Sequence, residues 1–364
     1  MSVDALSPYD AVLLHSFGGP ETPEEVLPFL ERVTGGRGIP RARLEEVGRH
    51  YFEFGGRSPI NDENRALISA LETELSRRGA PRSIFWGNRF AEPFTSEALG
   101  RAREFGVRRL VAVTTSAFPS YSGCRAYRED LDQALSSVTP DEGSGSIQVD
   151  RTRPYAMREG FIEANARLVA TAFEELVAAE GLTASQIRLL FVTHSIPVTQ
   201  NDSSGPAPGG AYLRWHEEVC AQVSRSVGRR IGERVDSELV FCSRSGPPNQ
   251  AWLEPDVEDR IRELAVGPIR GVVVAPVGFT ADHMEVVYDL DVVAATAAHE
   301  SGLAFTRVST VRREDEFVNC LVDLLFEQAA RARGESTGPR GAAEALTEGE
   351  ACCGAGCCPN PRGV

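Results

Sequence analysis

The feature that most constrains this chain is the form of its apolar runs. Residues 11–17, 84–88, 109–115, 147–150, 187–193, 238–242, 271–276 and 304–308 are short, apolar and mostly unalternating. A strand with one wet face alternates in polarity, whereas a strand covered on both faces does not. Helical stretches separate the runs, at 24–33, 61–78, 95–104, 158–179, 212–231, 256–264, 282–298 and 314–333. This β-then-α rhythm predicts parallel sheets with helices on both faces. Half of the strands precede residue 158 and half follow it, which points to two similar lobes, although no sequence repeat supports a duplication. The boundaries expected are 1–157 for the first lobe and 158–312 for the second. A helix at 313–333 packs back on the lobes, and 334–364 is a flexible tether ending in a cysteine-rich tail.

The 364 residues suit one large α/β domain or two lobes. A net charge of −14 argues against nucleic acid or an anionic membrane as the main partner. The opening MSVDALSPYDAVLLHSFGG has no basic region before its short apolar stretch, so no signal peptide is expected. No run approaches membrane-spanning length. A cytoplasmic, monomeric protein is expected. Among the cysteines, Cys220, Cys242 and Cys320 are isolated in apolar or helical surroundings and read as buried thiols. Cys352, Cys353, Cys357 and Cys358 crowd the C-terminus, and in a reducing compartment such clustering points to metal rather than to disulfides.

In open α/β sheets, ligands collect at the carboxyl ends of the strands, and four predicted strands end in chemical groups. LLHSFGGP (13–20) runs into Gly-Gly-Pro, a sharp turn or a close approach to a ligand. No Gly-Lys-Ser/Thr follows, so it is not a phosphate loop. SAFPSYSGCRAYRED (116–130) mixes hydroxyls and aromatics, which suits either a flat ligand with polar edges or a plain strand-to-helix loop with Ser122 near the N-cap. LLFVTHSIP (189–197) delivers His194 at a strand end, where a neutral imidazole can take a proton or bind a metal. VGFTADHMEV (277–286) ends a buried run on Asp282, His283 and Glu285. The D-x-x-E spacing is that of a capping box, a purely structural device. Asp289, four residues beyond Glu285, shares its helix face, and two acids on one face invite a cation. Carboxylates with imidazole suit Fe²⁺ or Zn²⁺. The spacing lacks the paired histidines of a zinc-hydrolase helix.

The last two stretches together resemble the ferrochelatase family. FVTHSIP matches its Ser/Thr-x-His-Ser/Gly-x-Pro signature, and PVGFTADHMEVVYDLD its Phe-x-x-Asp-His-x-Glu-x-x-Tyr block. GGRSPIN (55–61) and FGGPETPEEV (17–26) match two more blocks, and the likeness covers roughly residues 9–330 in order. The resemblance implies two Rossmann-like lobes, each a four-stranded parallel sheet flanked by helices, with a porphyrin cleft between them. It implies His194 and Glu285 as ligands of the Fe²⁺ substrate and Asp289 on a metal or proton route; in the mechanism expected from it, Asp282 and His283 hold Glu285 in place. Ser58 and Tyr127 fall at porphyrin-contacting positions. Phe17, grouped with the substrate contacts, stands where many members carry a tyrosine. Val293 replaces a third acid on the helix line.

The actinobacterial branch is similar in its YSGC and in its cysteine-bearing C-terminus. There one internal and three terminal cysteines hold a [2Fe–2S] cluster. This implies Cys124, Cys353, Cys357 and Cys358 as ligands, with Cys352 able to stand in for Cys353. A zinc-binding or simply mobile tail is the alternative. That branch is expected to insert Fe²⁺ into coproporphyrin III, giving coproheme in haem biosynthesis. Arg37, Arg57 and Arg125 flank matched blocks and are candidates to pair with propionates. Protoporphyrin IX insertion, a non-catalytic haem or porphyrin carrier, a sirohydrochlorin chelatase and a metallohydrolase are the competing readings.

Overall fold

The apolar runs become the strands of two parallel sheets. The structure is a computed structural model that describes residues 4–35, 38–138, 146–206, 209–245, 249–335, 354 and 356–360. The first sheet contains β1 (Ala11–Ser16), β2 (Ile84–Asn88), β3 (Arg109–Thr114) and β4 (Gln148–Arg151), in the order β2-β1-β3-β4. The second contains β5 (Ile187–His194), β6 (Ser237–Cys242), β7 (Gly271–Ala275) and β8 (Ala304–Arg307), in the order β6-β5-β7-β8. Every pairing is parallel. The two sheets therefore share one topology. The predicted strands and fold class hold.

Burial explains the sequence pattern. Every residue of β1 and β7 is buried, whereas the edge strands β4 and β8 are half-exposed throughout or nearly so. In the first sheet Leu13, Leu110 and Ala112 pack on Ala98, Leu99, Ala102 and Leu131 of the covering helices. In the second, Val192, Val240, Val272 and Val274 pack on Ile261, Leu290, Ala294 and Ala298. Burying each of these Val, Leu and Ile side chains stabilises the fold by about 1.5–3 kcal/mol.

The chain folds into two compact units. One gathers the described residues of Met1–Thr115, Ala126–Arg153 and Leu321–Gly338. The other gathers those of Ser116–Arg125, Pro154–Cys320 and Pro339–Val364. Each unit holds one sheet.

The sequence pattern missed the helix Arg41–Glu53. Only Leu44, Gly48 and Tyr51 of it are buried, too few to register as an apolar stripe. Two helical segments are wound as π-helix, Tyr121–Arg125 and Val287–Ala294. The second lies between α-helical Met284–Val286 and Ala295–Glu300, so the predicted helix exists but is unwound across its middle. Such π-segments are rare and concentrate at functional sites. No helix among the described residues is long and apolar enough to cross a membrane.

Candidate active site

Both sheets change direction of connection between their two central strands, and ligands bind outside the carboxyl ends at such a switch point. In the second sheet, β5 ends on His194 and β7 feeds the turn that leads to Glu285. Glycine closes that turn. The N–H of Gly278 donates to Val192 O at 3.1 Å, and a Cβ there would lie 2.0 Å from Thr193 Oγ1. Only glycine lets the backbone pass so close, and this brings the acidic helix beside the end of β5.

His194 and Glu285 meet. Nε2 of His194 lies 3.4 Å from Oε2 of Glu285, with the imidazole one-third exposed and the carboxylate half-exposed. Nδ1 of His194 faces the Ser195 carbonyl. A carbonyl only accepts, so Nδ1 carries the proton, and a neutral ring presents its Nε2 lone pair to a carboxylate. Two electron-rich groups so opposed call for a proton or a metal ion between them. Burial works against charging His194, but Glu285 and the Ser195 carbonyl outweigh it and hold its pKa above the ordinary value.

Asp289 lies further along the same helix. Burial raises its pKa to about 6, against the pull of the Ser243 hydroxyl, which donates to Oδ2. Ser243 is a non-glycine residue at φ 61°, in the left-handed region. Its strained backbone follows β6 directly, as strained residues often do at functional sites. Nothing in the sequence marked it.

The other predicted acid and base behave differently. Asp282 is 2% exposed and is clamped by Arg307 at 3.1 Å, by Thr310 Oγ1 at 3.1 Å and by Arg312. These cations overcome the effect of burial and keep its pKa low. Its carboxylate thus serves to bind the turn to β8 and the segment after it, not to hold Glu285. The expected capping box does not form either: His283 is the N-cap, without a side-chain cap bond. The His283 ring packs edge-on against Phe279 at 5.1 Å, and burial lowers its pKa.

The predicted substrate contacts all lie in the first unit. Phe17 follows β1 and packs on Phe90, centroids 4.7 Å apart. Ser58 is buried, its N–H bonded to Pro20 O at 2.9 Å. Tyr127 is 3% exposed, and burial raises its pKa. Of the arginines proposed for propionates, Arg57 is paired with Asp62, and Arg37 lies outside the described residues.

Cys124 is buried in the first π-turn, whose cap is Ser120 rather than Ser122: Ser120 Oγ accepts Gly123 N–H at 2.9 Å. The Sγ atoms of Cys357 and Cys358 are 3.7 Å apart, and Cys358 Sγ accepts the Gly205 N–H at 3.1 Å. Cys352 and Cys353 lie outside the described residues. Among the described residues, no three His, Cys, Asp or Glu side chains converge as a metal site.

Fold and site together define an α/β protein of two like-built units, one of which sets an imidazole against carboxylates at the switch point of its sheet. The ferrochelatase family model matches residues 9–329, and the chain belongs to the ferrochelatase family of metallochelatases. Coproporphyrin III ferrochelatase of Streptomyces coelicolor is 44% identical, over 97% of this chain and 94% of its own length. The protein of the same name from Leifsonia xyli subsp. xyli is 44% identical, over 97% of this chain and 92% of its own. Among solved structures, SirB from Bacillus subtilis with Fe³⁺ is similar in fold, with a TM-score of 0.50 at 12% identity over 89% of this chain and 97% of its own.

Proposed function

We propose that this enzyme inserts Fe²⁺ into coproporphyrin III, giving coproheme and releasing two protons, as a step of haem biosynthesis. The observation that carries the reading is the opposed pair His194 and Glu285, whose Nε2 and Oε2 lie 3.4 Å apart at a sheet switch point. The names of relatives 40–44% identical over nearly the whole chain support coproporphyrin III as the substrate.

Insertion must strip two pyrrole N–H protons while Fe²⁺ sheds water. His194, its Nδ1–H fixed on the Ser195 carbonyl, accepts a pyrrole proton at Nε2 as general base. The raised pKa makes it a better acceptor than an ordinary imidazole and shifts the rise of activity with pH upward. Glu285 stabilises the resulting imidazolium or binds the incoming metal. Asp289, half-protonated near pH 6, passes protons along the helix. Phe17, Ser58 and Tyr127 bind the macrocycle.

The tail thiols fit a [2Fe–2S] cluster in chemistry. Four thiolates are what such a cluster takes, and an N–H donor to sulfur, as Gly205 supplies to Cys358, is the bond that tunes one. Cys124, Cys353 or Cys352, Cys357 and Cys358 would hold it. Such a cluster would supply redox-active iron, and no step above passes through it. Cys358→Ser is expected to bleach the visible absorbance of anaerobically purified protein.

The test of the reading is anaerobic: Fe²⁺ with coproporphyrin III and with protoporphyrin IX, side by side, followed by absorbance. Faster metallation of coproporphyrin III is expected. No insertion into either, or a preference for protoporphyrin IX, overturns it.

A further inference from the structure

The chain has 38 basic side chains, all of them arginine, against 52 acids. With acids in such excess, a half-buried arginine that lacks one needs an explanation. Arg89 follows the last residue of β2. Its backbone N–H is bonded to Ser16 O at 3.0 Å. Its guanidinium lies 4.6 Å from the Phe90 ring centroid and 4.9 Å from that of Tyr127. Among the described residues it makes no ion pair within 4 Å, and its Nε is buried without a partner.

The acid whose field it feels is Asp130, but Oδ2 of Asp130 is already taken by His15 Nε2 at 2.8 Å and Thr95 Oγ1 at 2.7 Å. A second arginine sits nearby. Arg32 donates Nε to Phe90 O at 2.7 Å and also makes no ion pair among the described residues. The neighbourhood of Phe90 is thus cationic in an acidic protein. Aromatic faces hold a guanidinium flat, so its fork is already oriented when an anion arrives. Beyond the aromatic faces and the field of an Asp130 already bonded to His15 and Thr95, the corner offers these guanidinium groups no ion-pair partner among the described residues, which leaves them able to receive an anion from outside the chain.

We propose that Arg89 is a carboxylate-recognition residue, binding a propionate of the porphyrin substrate. The proposal rests on the functional reading above and adds to it the residue that senses the acid groups on the macrocycle's rim. It also places that role on a residue the sequence pattern passed over, since β2 was not among the strands whose ends drew attention. An Arg–carboxylate contact is charge-assisted and bidentate, so its loss is felt mainly in binding.

The experiment is equilibrium binding of metal-free coproporphyrin III and of its tetramethyl ester, by quenching of porphyrin fluorescence. The wild-type protein is compared with Arg89→Ala and Arg89→Lys. Arg89→Ala is expected to weaken binding of the free acid at least tenfold and that of the ester less than twofold. Arg89→Lys, which keeps the charge and loses the flat fork, falls between and controls for folding, with circular dichroism on both. Equal weakening for acid and ester overturns the proposal, because it assigns Arg89 a packing role. Unchanged binding of the acid overturns it as well. A wild-type protein that binds neither porphyrin overturns the functional reading itself, and the proposal with it.

Discussion

Each unit pairs a histidine of its sheet with a carboxylate, and the two pairs behave in opposite ways. In the first, His15 is fully buried and lies 2.8 Å from Asp130. In the second, His194 is one-third exposed and lies 3.4 Å from Glu285. Burial dominates His15 and lowers its pKa, despite the acid beside it. For His194 burial again pulls hardest, but Glu285, the Ser195 carbonyl and Asp289 together outweigh it and raise its pKa. The chemistry of an imidazole beside a carboxylate is therefore decided by its access to water and by register. Ser16 ends β1 opposite Asn88, just as His194 ends β5 opposite Cys242. At that equivalent position the first sheet has a hydroxyl sealed among Asn88, Asn64 and Trp86. The second has a reactive ring. One scaffold used twice thus carries a sealed hydroxyl at the end of β1 and an accessible imidazole at the end of β5, and the proposed function assigns binding to the first edge and proton handling to the second.

The sharpest way to break this comparison is to remove the two imidazoles in turn. His194→Ala should lower kcat by about 10²–10⁴-fold, the range of a general base, with little change in the porphyrin Kd. If porphyrin binding is lost and residual turnover survives, His194 is a binding group and the division of labour between the edges fails.

His15→Leu should do the reverse. It should cost about 1–3 kcal/mol of stability, because Asp130 loses a buried donor, and leave kcat within a few-fold. The pH dependence of stability separates the two further. Because His15 resists protonation when folded, the wild type loses stability as pH falls below about 6.5, the unfolded value. His194 has a raised pKa, so its contribution is complete below about pH 6.5 and fades as pH rises through the folded value. Chemical denaturation across pH should show His15→Leu flattening the acid side and His194→Ala the alkaline side. A shared pH response would mean that the two environments do not differ as described.

Much of this architecture was legible in the sequence, because a strand buried on both faces leaves an unalternating run. The strand that ends on His194 and its neighbours in both sheet centres were found that way, whereas the edge strands β4 and β8 were placed by the β-then-α rhythm. The pairing of His194 with Glu285 was foreseeable only from family resemblance, since 90 residues separate them and the contact depends on a glycine turn. Asp282 was read as a site residue because it adjoins Glu285 in sequence. Its real partners, Arg307 and Arg312, are brought in by the sheet, and no local pattern announces them. The π-winding of 287–294 is likewise silent, because an α-helical period over so short a span looks the same.

The smallest expected effect compares the ends of the equivalent edge strands β2 and β6. Arg89 follows one and holds a cation against aromatic rings, while Ser243 follows the other and donates to Asp289. Ser243 does this at φ 61°, a conformation that costs a non-glycine residue about 1–2 kcal/mol. Ser243→Ala keeps the strain and removes the hydroxyl, whereas Ser243→Gly removes both. In either variant Asp289 loses a donor to its charged form, so its pKa should rise above about 6. An acid whose pKa is raised by folding loses stability for the protein as pH climbs from about 4 through that value. Both variants should therefore extend this decline to higher pH, and the rise of activity should follow it upward by less than one pH unit. Ser243→Gly should be the more stable of the two by about 1 kcal/mol or less, because glycine's freedom in the unfolded chain offsets part of the relieved strain. If the two variants are equally stable at every pH, the left-handed backbone at Ser243 stores no strain. The hydroxyl alone would then account for the hold on Asp289.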